Sequence, residues 1–376
     1  ELHDFDVKRA GIDRTGKPIV TLMILVAVTF LVVGSIYGLV SSLKLHLPDF
    51  LTNSRFLTFG ITRTVHLNFV NYGWLSVAAL GIVMWTIPRI FRVPLRRPQA
   101  ALIGGLLFAG GLTAGMVAVS LGWSDGVEWL EVPWQISIVI ALGVALIAWS
   151  VISTAVHRQV EHMYVTAWYY LGALCWFPML YIISKIPGIH WGVEQAALNW
   201  WFAHNVLGLW VTPMGIATAY YILPKVIGKP IFSYNLSILG FWSLALFYSQ
   251  VGIHHLVGGP LPTWLVTLSI VLSMMMFIPV IAVAINQHGL MLTNWWAFKK
   301  SYVIKFVWIG ALMYTASSFQ GSLEALRSLN SITHFTHFTV VHAHLGGYGF
   351  ITMIMMGAIY YIMPHLLQRE WPCPKA

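Results

Sequence analysis

The chain is a succession of long hydrophobic runs separated by short polar segments. A bilayer admits only helices and closed barrels, and an unbroken apolar run of roughly 20 residues is typical of a membrane-spanning helix. Ten such runs cover about 17–41, 62–89, 99–122, 133–156, 165–186, 195–224, 233–257, 262–286, 302–319 and 336–366. The pattern therefore predicts an all-α, polytopic transmembrane helix bundle that forms a single domain over 1–376.

Charge is scarce and unevenly distributed. Only 9% of the residues are charged and 58% are hydrophobic, and the mean hydropathy is +0.76, which excludes an ordinary soluble domain. If the N-terminus is cytoplasmic and the helices alternate, 16 of the 21 Lys and Arg residues lie on the cytoplasmic side: Lys8, Arg9, Arg14, Lys17, Arg89, Arg92, Arg96, Arg97, Arg158, Lys225, Lys229, Lys299, Lys300, Lys305, Arg369 and Lys375. The positive-inside rule thus predicts a cytoplasmic N-terminal segment over 1–16. It also accounts for the net charge of +9 without nucleic-acid binding.

The two cysteines carry little information. Cys175 and Cys373 make no disulfide framework, and no C-x-x-C-H motif for covalent haem attachment is present. Because Cys175 lies within a hydrophobic run, we expect it to be a buried packing residue.

Six histidines fall near the same end of their hydrophobic runs. In the predicted topology this end is the outer one, and the six residues are His66, His204, His254, His255, His342 and His344. The predicted orientation rests on Lys and Arg alone, so the common depth of the six histidines is an independent observation. Ionisable groups at membrane depth are costly and mostly functional, and imidazole is a common ligand of haem iron and copper.

The spacing of these histidines constrains what they can bind. Residues two apart on a helix point about 200° apart, so His342 and His344 cannot easily share one metal, but each can bind a different haem. The adjacent His254 and His255 can point into one shared site. Two haems and one further metal is the simplest interpretation. His334 is predicted to lie slightly closer to the outer membrane surface than these six histidines. We interpret it as a haem-propionate partner, with an interfacial packing role as the alternative.

Four segments carry a specific resemblance: RTVHLN (63–68), WWFAHNVLGLWVT (200–212), FWSLALFYSQVGIHHL (241–256) and SLNSITHFTHFTVVHAHLG (328–346). They resemble subunit I of the haem–copper oxidases, specifically the cbb3 type. The resemblance implies a terminal respiratory oxidase that reduces O₂ to water and couples this to transmembrane proton movement. It further implies a bacterial inner membrane, metal sites toward the periplasm, and a c-type cytochrome subunit as electron donor.

The resemblance also implies residue roles. His66 and His344 would be the axial ligands of a low-spin haem b, and His342 the protein ligand of the high-spin haem b3. CuB would be bound by His204, His254 and His255. Tyr248 would be linked to the His204 imidazole and supply an electron and a proton, and Arg63 would contact haem propionates. If the seventh run is one helix, Tyr248 lies seven residues before His255 on the same face, about 10 Å deeper.

Protons for this chemistry would come from the cytoplasmic side. Hydroxyl groups on the inner halves of the sixth and seventh runs are the candidates, namely Thr212, Tyr221, Tyr234, Ser237 and Ser243. Each alone is an ordinary helix hydroxyl, whereas the set resembles the single proton pathway of the cbb3 branch.

The chain departs from this family in two features. Gln320 occupies a position where the family usually has Glu, and Glu324 is an alternative carboxylate four residues on. The family core has twelve helices against the ten read here, and whether the other pair is missing or carried by another chain stays open.

Two other functions remain as alternatives. Nitric oxide reductase shares the histidine pattern but has non-haem iron, which prefers a carboxylate ligand that HNVLGLWVT does not offer. A transporter or channel with structural histidines would bind neither haem nor copper. Metal analysis separates all three.

Overall fold

A computed structural model describes residues 2–372, with the side chains of residues 8–372. Cys373 and Lys375 therefore lie outside the described residues. Within them the chain is helical and has no β-strand. The all-α fold expected from the hydropathy is confirmed.

Ten helices are long and apolar enough to cross a membrane, as predicted. We name them α1 to α10. Helices α1 to α6 are Leu2–His46, Phe59–Phe91, Pro98–Ser120, Trp134–Val156, Val165–Lys185 and Gly192–Ile227. Helix α7 begins at Tyr234, and α8 to α10 are Thr263–Leu292, Tyr302–Glu324 and His337–Leu367. Shorter helices at Trp295–Lys300 and Arg327–Thr333 lie between spans.

Helix α1 begins at Leu2, well before the expected start near residue 17. Hydropathy marks the part of a helix that lies in hydrocarbon, not the residue at which the helix begins. The polar stretch 8–17 contains charged residues and good helix formers, so the helix continues through it.

Three spans contain a stretch of π-helix that begins within three residues after a histidine. These stretches are Phe69–Ser76 in α2, Val206–Val211 in α6 and Leu345–Thr352 in α10, and they follow His66, His204 and His344. A π-helical turn is wider than an α-helical one, and in two of these stretches the last residue stabilises it. The hydroxyls of Ser76 and Thr352 donate hydrogen bonds to the carbonyls five residues earlier, at 2.8 and 2.9 Å. Such π-helical turns are often found at functional sites.

The seventh span is not one continuous helix. Helix α7 runs over Tyr234–Tyr248, and a separate 3₁₀ turn, Ile253–Leu256, carries the paired histidines. The expected helical phase between Tyr248 and His255 is therefore wrong. The chain breaks because Gly252 adopts φ 126°, a conformation that other residues rarely reach.

The chain forms two compact units. The first comprises Glu1–Val160 and Tyr181–Ile189, and the second Glu161–Leu180 and His190–Ala376. In the first unit α3 and α4 approach backbone to backbone: a Cβ at Gly104 would lie 2.6 Å from the carbonyl oxygen of Gly143. Small residues at such crossings allow the close packing on which membrane helices depend.

Large apolar side chains cover much of the surface, as expected for contact with lipid. Cys175 is among the exposed residues, so the expectation that it is buried is wrong. In a membrane bundle the outward face of a helix is as apolar as the inward face, and an apolar setting does not indicate burial.

Candidate metal centre

Three histidines of the second unit converge on one point. One ring nitrogen from each of His204, His254 and His255 lies within 4.8 Å of the others. The imidazole centroids are 4.8 Å apart for His204 and His254 and 4.7 Å apart for His254 and His255. This arrangement suits a metal with three imidazole ligands.

The residues around His204 hold the irregular segment that precedes the histidine pair. The Trp201 indole donates to the carbonyl of Ser249 at 2.8 Å, and the Asn205 amide donates to the carbonyl of Val251 at 3.2 Å. Gly252 lies so close to α6 that a Cβ there would be 2.5 Å from the carbonyl oxygen of Trp200. The motif WWFAHN thus fixes the path of the backbone as well as supplying one imidazole of the triad.

Ser269 of α8 secures the other side of the turn. Its buried hydroxyl accepts hydrogen bonds from the backbone N–H groups of Gly252 and His254, at 3.2 and 3.1 Å. It also lies 3.0 Å from Nδ1 of His254. This contact orients the imidazole, as outer partners do at metal sites.

Tyr248 lies beside the triad. Its ring centroid is 4.8 Å from that of His204. It packs so closely on Gly208, one turn after His204 in α6, that a Cβ at Gly208 would overlap the tyrosine ring. The sequence therefore needs glycine there to bring the phenol against the imidazole.

His342 and His344 lie on the first half of α10. His342 is close enough to interact electrostatically with all three histidines of the triad. It packs on α9, where a Cβ at Gly321 would be 2.5 Å from its Cε1. Nδ1 of His344 lies 2.8 Å from the carbonyl oxygen of Val340, so it carries the proton and donates it.

In the first unit, His66 packs against α1. Its Nδ1 lies 2.8 Å from the carbonyl oxygen of Gly34 and therefore donates to it. A Cβ at Gly38 would lie 2.6 Å from the His66 ring, so this contact also needs a glycine. His66 and His344 thus share a tautomer in which Nε2 carries the lone pair that binds a metal.

Two acidic residues near His66 escaped the sequence analysis. Glu128 forms an ion pair with Arg63 at 2.6 Å, and Glu131 accepts from the Asn68 amide at 3.0 Å. Burial raises the pKa of the Glu131 carboxyl. Both lie in the loop between α3 and α4, and no local pattern indicates that this loop reaches α2.

The remaining outer candidates occupy the end of α9 and the segment before α10. His334 is half-buried and stacks on Phe335, with centroids 4.0 Å apart. Gln320 donates to the carbonyl of Phe338 at 3.2 Å and lies 3.4 Å from the carboxylate of Glu324. Glu324 is buried, so a carboxylate is present near the position that Gln320 leaves neutral.

The predicted relay hydroxyls are bonded locally. Ser237 and Ser243 donate to carbonyls of their own helix at 2.6 and 2.5 Å, and the Tyr234 phenol donates to the carbonyl of Met163 at 3.1 Å. Tyr221 is buried in α6. Thr212 is partly buried where the π-helical stretch of α6 ends.

A second set of polar groups lies nearby and was not predicted. Asn286 of α8 donates to the Tyr220 hydroxyl at 3.1 Å. Tyr314 of α9 interacts electrostatically with both Tyr220 and Tyr248. Both side-chain amide atoms of the buried Gln287 have no hydrogen-bond partner among the described residues. Water would satisfy such groups.

The donor set of the triad fits a metal. Nδ1 of His204 is buried and has no hydrogen-bond partner in the described part of the chain, which is costly unless a ligand engages it. No carboxylate belongs to the cluster found among the described residues. An all-imidazole site suits copper better than iron.

Comparison with known proteins gives a consistent result. The profile of the family described as cytochrome C and quinol oxidase polypeptide I matches residues 18–375. The chain is 26% identical to the cbb3-type cytochrome c oxidase subunit CcoN1 of Stutzerimonas stutzeri, over 90% of this chain and 73% of that protein. It is 29% identical to a cytochrome c oxidase subunit 1 homolog of Agrobacterium tumefaciens, over 90% of this chain and 65% of the relative.

A structural neighbour agrees with these relatives. A cryo-EM structure of a heme-copper terminal oxidase dimer has a TM-score of 0.72, covering 93% of this chain and 68% of that chain. At 15% identity this similarity shows the fold. The chain thus spans about two thirds to three quarters of the length of these proteins.

We predict that Ser269→Ala weakens metal binding without unfolding the chain. Loss of the hydroxyl leaves Nδ1 of His254 and two backbone N–H groups unpaired, and the loss of such outer partners lowers metal affinity by about 10- to 100-fold. The measurement is metal per chain by mass spectrometry after equilibration with graded chelator. Ser273→Ala, one turn along α8 and also buried, is the control. Equal losses in both variants would indicate a general packing effect instead.

Proposed function

This chain belongs to the family of cytochrome C and quinol oxidase polypeptide I, and we propose that it is the catalytic subunit of a terminal oxidase that reduces O₂ to water at a haem b3–CuB centre. Its relatives are named as cytochrome c oxidase subunits, one of them of the cbb3 type. The resemblance drawn from the sequence motifs is thereby confirmed.

The convergence of four side chains supports this proposal most strongly. His204, His254 and His255 offer three imidazole nitrogens within 4.8 Å of one another, and Tyr248 lies against His204. We propose that the triad binds CuB and that His342, which interacts electrostatically with all three, binds the high-spin haem. The bound metals would supply O₂ binding and most of the electrons.

The low-spin haem b is assigned to His66 and His344. Each donates its Nδ1 proton to a backbone carbonyl, which orients the ring and presents Nε2 for iron. Apolar side chains beside His344, namely Phe338, Val340 and Val341, are exposed in the chain alone. A porphyrin face would cover such a surface. We assign propionate contacts to Arg63 and His334.

Copper is proposed over iron because the triad has no acidic member. Nitric oxide reductase, the nearest alternative, needs iron and a carboxylate. Glu324 is buried, but it lies outside the cluster of ligands. Copper together with haem in the purified protein supports the oxidase, whereas iron alone would support the reductase.

Tyr248 is proposed as the catalytic residue of the chain. Its phenol can release a proton from Oη together with an electron, which completes the four electrons that O–O cleavage requires. The packing on Gly208 fixes the ring beside His204 and removes the rotational freedom that a reacting group must otherwise lose.

Protons are proposed to reach Tyr248 from the cytoplasmic side. The path would use Thr212, Tyr221, Tyr234, Ser237 and Ser243, extended by the Asn286–Tyr220 hydrogen bond and the Tyr314 hydroxyl. The distribution of Lys and Arg supports a cytoplasmic N-terminus and metal sites toward the periplasm. Protons drawn across the membrane in this direction conserve energy.

Electrons are proposed to arrive from a c-type cytochrome subunit in the bacterial inner membrane. The sequence contains no C-x-x-C-H motif that would attach such a haem to this chain. The bacterial relatives, named as cytochrome c oxidase subunits, support the same donor and membrane.

Tyr248→Phe tests the function directly. We expect both haems and copper to remain while O₂ consumption falls by at least about 100-fold, the lower range for a positioned proton donor. Tyr360→Phe, which removes an exposed phenol elsewhere, is the control and should retain full rate. Turnover of Tyr248→Phe near the wild-type rate would contradict the role of this phenol.

The haem assignment is tested by His344→Ala and His66→Ala. Each should remove the bis-histidine low-spin signal from the reduced-minus-oxidised spectrum while a CO-binding haem partly survives. His365→Ala, at the other end of α10, should leave both signals unchanged. Loss of CO binding with an intact low-spin spectrum would instead exchange the roles of His342 and His344.

The proton path is tested by Thr212→Val, Ser237→Ala and Asn286→Leu. Turnover should slow several-fold in each, because a hydroxyl or amide of the path is lost, while the haem spectra stay the same. Thr267→Val, an exposed position on α8, is the control. In vesicles, wild-type O₂ consumption should alkalinise the cytoplasmic side, and proton uptake from the outer side would refute the path.

A further inference from the structure

The first unit contains a basic cavity that the oxidase chemistry does not use. It has a volume of about 580 Å³ and lies where the loop from α2 to α3 meets the end of α4. Its polar lining consists of Arg96, Arg97, Ser153, His157 and Gln159. Cavities of this volume are large enough to hold a small ligand.

The loop that carries the two arginines is fixed from several sides. The Leu95 N–H donates to the Thr15 hydroxyl and the Arg96 N–H to the Thr154 hydroxyl, both at 3.0 Å. The Ser150 hydroxyl donates to the carbonyl of Arg96 at 2.5 Å. The arginines therefore start from an ordered backbone, which lowers the entropy lost on binding an anion.

No acidic side chain in the described part of the chain neutralises the positive charge of this cavity. In the described residues, Arg89 is paired with Asp13, but no carboxylate pairs with Arg96 or Arg97. The guanidinium of Arg97 lies over the Trp149 ring, 4.2 Å from its centroid. Stacking uses the face of the guanidinium and leaves its N–H edge available to an oxyanion.

His157 contributes less to such binding than its position suggests. Its Nδ1 lies 2.8 Å from the carbonyl oxygen of Ser153 and donates to it. In a neutral imidazole of this tautomer, Nε2 is an acceptor and does not attract an anion. Arg96 and Arg97 must therefore provide the charge.

An apolar face of α4 extends from the cavity. Trp149, Ile152 and Val156 follow one another at spacings of three and four residues, so they share one side of the helix. All three are exposed, Val156 by 68%. In a membrane-spanning chain this face contacts acyl chains, which places the cavity at the depth of the lipid headgroups. The Lys and Arg distribution predicts that this is the cytoplasmic leaflet.

We propose that the cavity binds the phosphate of an anionic phospholipid. Arg96 and Arg97 donate charge-assisted hydrogen bonds to the phosphate oxygens. The acyl chains lie along the face formed by Trp149, Ile152 and Val156. Basic pockets between membrane helices on the cytoplasmic side bind acidic headgroups in this manner.

The test is a titration of the purified, delipidated complex followed by native mass spectrometry. The probes are phosphatidylglycerol, phosphatidylcholine with the same acyl chains, and inorganic phosphate. We expect selective binding of phosphatidylglycerol, with affinity lowered by at least about tenfold in Arg96→Gln/Arg97→Gln through loss of the charged donors. Arg158→Gln removes an equal charge at an exposed position outside the cavity lining, and it should change the affinity less than about twofold.

Three outcomes would overturn the proposal. They are equal binding of phosphatidylcholine, displacement of the lipid by equimolar phosphate, and unchanged affinity in the double variant. If the double variant fails to assemble, Arg97→Lys takes its place. This variant keeps the charge but loses the planar stack on Trp149. An affinity for phosphatidylglycerol that is measurable but lower than that of wild type and of Arg158→Gln supports the site. An affinity equal to that of wild type refutes it.

Discussion

In hydrocarbon, every backbone N–H and C=O group must find a partner within the protein, because no water is there to replace it. This constraint makes regular helices the default and irregular backbone costly. The described irregularities nevertheless occur beside the candidate ligands, in the π-helical stretches and in the break before His254. Three of these four irregularities have a local solution: the hydroxyls of Ser76 and Thr352 donate within two of the widened turns, and Trp201, Asn205 and Ser269 hold the break.

The segment from Trp200 to Gly208 shows how ligand and scaffold are encoded together. His204 supplies a ring to the triad, and its neighbours Trp201 and Asn205 hold the backbone that carries the other two rings. Gly208, one turn further, makes room for the ring of Tyr248. The motif therefore specifies positions on two spans at once, and the neighbours of His204 are as constrained as the histidine itself.

Hydropathy was sufficient to predict ten spanning helices, since these depend on the length and polarity of single segments. Hydropathy failed where tertiary contacts determine the local structure or the exposure of a residue. The run through Gly252 reads as one helix, because a single glycine in an apolar stretch carries no clear signal. Exposure of Cys175 was missed because lipid and core are equally apolar. Glu128 and Glu131 reach α2 from a distant loop, and nothing local in the sequence predicts that contact.

The hydrogen bonds around Ser269 bear on how the site is assembled. The turn with His254 and His255 is held by Ser269, Trp201 and Asn205 through protein groups alone. In small zinc domains the free energy of metal binding is also the free energy of folding, so metal and fold are lost together. Here the hydrogen bonds of Ser269, Trp201 and Asn205 also shape the turn, so its order does not depend on a metal alone.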